Sequence, residues 1–139
     1  MTRQTDEMTR GFTLIELMVT VAIVAILATI AYPIYLHQLV EARRSAAEAT
    51  LMDIAQREQQ YMLDQRQYDA GCNTDTLSTT LSVTIPSNVS QFYQVCVTTP
   101  TTAPPTFTAT ATPIAGTAQA TDVTLTIDQT GSKLPTGIW

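Results

Sequence analysis

Gly11-Phe12-Thr13-Leu14-Ile15-Glu16-Leu17-Met18 opens the stretch on which the reading of this 139-residue chain turns. No charged residue occurs from Leu17 to Leu36. A bilayer span needs roughly 20 mainly apolar residues, and this run has that length. One carboxylate, Glu16, stands at its head. A carboxylate at the centre of a span costs about 2.5–3.5 kcal/mol and less near an end, so its presence there points to a function.

Working outward, residues 1–11 are polar, with Arg3 and Arg10 set against Asp6 and Glu7. A secretory signal peptide has its cleavage site after the apolar region. Here the plausible cut, after Gly11, comes before it. Cleavage there removes the polar leader and keeps the hydrophobic helix. Met8 is an alternative start that shortens the leader.

Gly11-Phe12-Thr13-Leu14-Ile15-Glu16 resembles the prepilin processing site of type IV pilins and the related pseudopilins. In that family a membrane aspartic peptidase cuts after the glycine and methylates the new terminal amine. The resemblance implies that Gly11 precedes the cut, that Phe12 is the N-methylated mature N-terminus, and that Glu16 serves assembly. Phe12 and Glu16 are four residues apart, about 6 Å along a helix axis. The new amine and the positive end of the helix dipole together favour a carboxylate at that distance. Glu16 can neutralise its own terminus or that of a neighbouring subunit. Pro33 matches a proline common in pilins; it removes a backbone donor, which predicts a kink or a weak turn between Ile30 and Leu36.

Beyond Tyr35 the pattern turns amphipathic. Val40, Ala47, Ile54 and Tyr61 recur every seven residues, with Leu36, Leu51, Ala55 and Met62 beside them. Arg44/Glu48 and Asp53/Arg57 stand at i,i+4, a spacing worth about 0.2–0.5 kcal/mol per pair. The helix is expected to run from Phe12 to Asp64. Gly71–Thr80 reads as a loop, followed by strand patterns at Leu81–Ile85, Gln91–Thr98, Thr106–Thr112 and Asp122–Asp128. The expected fold is α+β: a long N-terminal helix whose apolar half protrudes and whose amphipathic half packs on an antiparallel sheet of three to four strands. That is the pilin fold the resemblance implies. Thr99–Pro105 and Pro113–Ala120 read as exposed, variable loops. The division is a leader at 1–11, a membrane and assembly half-helix at 12–36, an amphipathic half at 37–66 and a head at 67–139.

Cys72 and Cys96 are the only cysteines. The anchor places the head outside the cytoplasm, where a disulfide between them is expected. Asp128-Gln-Thr-Gly reads as a turn and resembles the C-terminal region of pilins, although Ile138 stands where many pilins have a cysteine. Asp122 and Asp128 read as strand-end residues with turn or edge roles.

The formal net charge is −5, and Lys133 is the only basic residue after Arg66. This composition argues against nucleic acid as the main partner. His37 is the only histidine, and no catalytic grouping, metal-ligand spacing or cofactor motif is read. The leading reading is a non-enzymatic structural subunit of a type IV pilus, a minor pilin, supporting assembly, adhesion or motility. A pseudopilin of a type II secretion system and a non-polymerising, membrane-tethered binding domain are the alternatives. The partners implied are other pilin subunits, the prepilin peptidase and N-methyltransferase, the inner-membrane assembly machinery and, before assembly, membrane lipid. Localisation moves from a single-pass inner-membrane precursor to an extracellular pilus.

Mass spectrometry of isolated filaments should find this chain beginning at N-methylated Phe12. A terminus at Met1 in the filament would refute processing.

Overall fold

The computed structural model describes residues 12–72, 77, 79–101 and 103–139, so the leader and Gly11 lie outside the described residues. Two units are distinguished, residues 1–37 and 38–139. One helix, α1 (Leu14–Gln65), supplies the described secondary structure of the first and opens the second.

Helix α1 begins where the sequence provides a cap. Thr13 Oγ1 accepts the Glu16 amide at 3.3 Å, satisfying one of the donors left open at a helix start. The side chains from Phe12 to Leu36 are exposed, and an 18-residue window of α1 has a mean hydropathy of 2.6. This segment is long and apolar enough to cross a membrane. Pro33 lies inside α1, which is helical on both sides of it from Ile30 to Leu36. Arg66, at φ +58°, ends α1 in the left-handed conformation more often taken by glycine, and its amide reaches Met62 O at 2.9 Å.

In the second unit, Ala47, Thr50, Leu51, Ile54 and Glu58 of α1 are buried, a single stripe at helical spacing. Ala47 and Ile54 are at the centre of the expected heptad, whereas Val40 and Tyr61 at its ends are only half-buried. The stripe shares one core with a five-stranded antiparallel sheet: β1 (Gly71–Cys72), β2 (Tyr93–Thr98), β3 (Thr108–Pro113), β4 (Leu125–Asp128) and β5 (Lys133–Leu134), hydrogen-bonded in that order. Strand periodicity sends Tyr93, Val95, Val97, Ala109, Ala111, Leu125 and Ile127 inward. The threonines of β3 alternate with buried Ala109 and Ala111 and face outward. The short α2 (Ser87–Ser90) precedes β2 and buries Val89.

Three expectations need correction. The sheet has five strands rather than three or four, because β1 and β5 are two-residue edges too short to show a period. Short edges also limit pairing with other chains. Leu81–Ile85 is not a strand, although Leu81, Val83 and Ile85 are buried and Ser82 and Thr84 exposed. Its alternation reports which side chains face the core, while Ser82 turns the backbone at φ +52° and Arg57 Nη1 donates to Leu81 O at 3.2 Å. Finally, Gly71–Thr80 is not wholly loop, since it begins with β1.

Cys72 and Cys96 are disulfide-bonded and directly opposed between β1 and β2. Only two residue pairs hold β1 to β2, and the bond adds a covalent tie to that short ladder. The Asp128 turn forms as read: Asp128 Oδ1 accepts from the Thr130 amide at 2.8 Å, Thr130 Oγ1 at 2.6 Å and the Ser132 amide at 3.0 Å. Gly131, at φ +78°, supplies the positive φ the turn requires.

The disulfide closes a sequence separation of 24 residues. Reduction, or the double change Cys72→Ser with Cys96→Ser, should lower head stability by about 3–4 kcal/mol in urea titrations. No difference with reductant would show that β1 holds without the bond.

Candidate functional site

The anticipated site residues fall into separate groups. Phe12 and Glu16 are exposed around the start of α1, and Pro33 lies further along it. Cys72 and Cys96 form their own tie in the head. The most connected polar group in the head is one the sequence does not disclose: Arg44, Tyr93, Gln119 and Asp122.

Asp122 sits at its centre, with a side chain only 1% exposed. Arg44 of α1 approaches it through both Nε, at 3.2 Å from Oδ2, and Nη2, which pairs with Oδ1. The Tyr93 hydroxyl donates to Oδ2, and Gln119 Nε2 donates to the same oxygen at 2.6 Å. Gln119 Nε2 also lies 2.7 Å from Tyr93 Oη and 3.0 Å from Val40 O. Burial alone would push the Asp122 carboxyl up. Hydrogen bonds from Arg44, Tyr93, the Val123 amide and Gln119 overcome it and hold the group at about 2. Burial, then the hydrogen bond to the Asp122 carboxylate, pushes the Tyr93 phenol well above its usual value. The hydrogen bond to Asp122 likewise raises Arg44.

This cluster corrects the side-chain roles anticipated for its members. Arg44 does not take Glu48 as its close partner, because buried Asp122 offers two oxygens in the planar geometry a guanidinium matches. Asp53 and Arg57 do pair, at 3.1 Å. Asp122 is no strand-edge residue: β4 starts only at Leu125. Pro113–Ala120 is not simply an exposed loop, since Gln119 is fully buried. The cluster fastens the β3–β4 connection to α1 at Val40 and Arg44, across sequence separations of 79 and 78 residues. No local pattern reports such a pairing.

Two further cations sit against rings. Arg43 Cζ is 3.9 Å from the Phe92 centroid, and Lys133 Nζ is 4.9 Å from that of Trp139. Trp139 Nε1 donates to Leu134 O at 2.9 Å, fixing the tail beside β5.

Because the Asp122 pKa is depressed on folding, its contribution is present above about pH 4 and fades as pH falls towards 2, a loss of roughly 2 kcal/mol. Acid titration monitored by circular dichroism should show this in the parent. Asp122→Ala should abolish the dependence and cost on the order of 3 kcal/mol, leaving Arg44 unpaired. Glu48→Ala should change stability by less than about 0.5 kcal/mol.

Residues 33–126 match the family described as "Type IV minor pilin ComP, DNA uptake sequence receptor". Residues 8–32 match the prokaryotic N-terminal methylation motif. No curated protein and no solved structure gives a match. The first match runs from Pro33 along α1 through β2 and β3 into β4, including all four members of the Asp122 cluster; the second spans the Gly11-Phe12 site and the apolar half-helix. The chain belongs to the ComP family of type IV minor pilins, anchored as an inner-membrane precursor and assembled into an extracellular pilus.

Proposed function

We propose that this minor pilin is cut between Gly11 and Phe12, enters the pilus through the apolar half of α1, and serves DNA uptake with its head. The family match over residues 33–126 carries the last part, because the family's description is that of a DNA uptake sequence receptor. Glu16 guides entry by pairing with the positive amine at Phe12, its own or a neighbour's. Pro33 belongs to the same packing segment. The reading is structural and receptive rather than catalytic.

Charge sets a condition on the DNA role. Five Lys and Arg follow Gly11, against ten Asp and Glu. Two of the five, Arg44 and Arg57, are engaged by Asp122 and Asp53. The family's description speaks against the expectation that nucleic acid is not the main partner, so the acidic composition bears instead on how contact is made. A head with so few available cations neutralises few phosphates, and recognition rests on local contacts to base edges or shape. Each neutralised phosphate contributes a slope of about −0.9 to log K against log salt, so the slope should be shallow, no steeper than about −3.

Loss of the chain should abolish DNA uptake while leaving filaments on the cell. Uptake at the parental level would refute the DNA role. Glu16→Ala should remain membrane-inserted yet be depleted from sheared filaments by roughly tenfold, equivalent to a lost interaction of about 1.4 kcal/mol. Normal incorporation would count against the assembly role of Glu16.

A further inference from the structure

Glu58 is the one carboxylate on the buried stripe of α1, and its residue is fully buried. Its Oε2 accepts the backbone amide of Asp69 at 3.0 Å. Among the described residues its Oε1 has no hydrogen-bond partner, and neither has the buried Oδ2 of Asp69. Asp69 thus brings its backbone amide onto Glu58, and each residue keeps one buried carboxyl oxygen open. A buried ionised carboxylate needs a cation or a full set of donors. A proton converts one open acceptor into a donor.

Among the described residues the surroundings supply no compensating cation. Arg57, next to Glu58 on α1, is committed to Asp53 and Leu81 O. Arg66 is exposed at the end of α1. The returning segment brings Asp69 and Tyr68, whose ring packs 4.8 Å from that of Phe107. Tyr61, one turn along α1, packs against the core. Strands β2 and β3 carry no charged side chain. Asp128 at the end of β4 is closed onto its own turn, and Lys133 of β5 lies over Trp139.

We propose that Glu58 and Asp69 form a proton-operated latch: a proton on Glu58 keeps the segment 67–72 seated on α1, and its loss loosens that segment. Burial raises the Glu58 carboxyl; the Asp69 amide opposes this and the Asp69 charge adds to it, leaving the group at about 7. The folded-state value is raised, so the stabilisation is complete below about pH 4.5 and is lost as pH rises through 7. The segment leads directly into β1 and its disulfide, which keep its far end attached when the near end opens. Gln67 and Tyr68 also line a surface cleft with Thr99, Pro105 and Thr106. The latch therefore couples external pH to the shape of that cleft.

The test uses the oxidised full chain in detergent micelles. The Glu58 side-chain carboxyl ¹³C shift should titrate near pH 7 rather than near 4.5. The opening constant of the Asp69 amide, from hydrogen exchange corrected for its intrinsic pH dependence, should rise about 100-fold between about pH 5 and pH 8. Glu58→Gln should flatten that rise. Asp69→Asn, which keeps the backbone donor and removes the like charge, should lower the Glu58 midpoint. A Glu58 midpoint near 4.5, or an undiminished rise in Glu58→Gln, would overturn the latch. If Glu58→Gln does not fold, an unmoved Glu58 midpoint in Asp69→Asn overturns it instead.

Discussion

One buried stripe on α1, from Ala47 to Glu58, is the contact on which the head depends. Removing Leu51, Ile54 and their sheet partners from water is the dominant favourable term available to a domain this small. The same core contains Tyr93, Phe107, Leu125 and the small Ala109 and Ala111. Alanines at the centre of β3 are consistent with large side chains on either side in that core, since an interior filled to crystal-like density admits few bulky residues in one layer. The threonines between them satisfy the outer face of a half-wetted sheet.

Two polar devices are placed on that apolar frame, and they differ in kind. Asp122 is buried with a guanidinium, a phenol and an amide directed at it, so its charge is stabilised where it lies. Glu58 is buried with one backbone donor and, among the described residues, no cation, so its charge is penalised. The contrast follows from partners rather than depth. One device fastens the β3–β4 connection to α1; the other meets the chain as it returns from α1 towards β1. Together with the Cys72–Cys96 bond, they tie down segments that the short strands β1 and β4 hold with few ladder pairs.

The two halves of α1 have different solvents to satisfy. The apolar half presents exposed Leu, Ile, Val and Met side chains suited to lipid or to other helices, and its one carboxylate, Glu16, lies at the very start, beside the amine that the proposed cleavage would create. The other half has a buried stripe and a polar face. In the function proposed above, the first half anchors and assembles, and the second carries the head. The acidic composition of the head then bears on how a DNA role could work, because net charge governs long-range attraction whereas base-edge and shape contacts are local.

Much was legible in the chain itself. The apolar run of span length, the helical period around Ala47 and Ile54, the alternation in β2 and the Asp128 turn rest on local patterns, which a linear reading detects; the cysteine tie followed from the compartment that the anchor implies. Burial at Leu81, Val83 and Ile85 was legible too, but not their lack of a ladder, because alternation records which side faces the core and says nothing about a hydrogen-bonding neighbour. The two-residue strands were invisible because they are shorter than one recognisable period. The Arg44–Asp122–Tyr93–Gln119 cluster and the Glu58–Asp69 meeting were decided only in three dimensions. Their chemistry depends on which donors reach a carboxylate once water has left, and that is set by packing rather than by spacing along the chain.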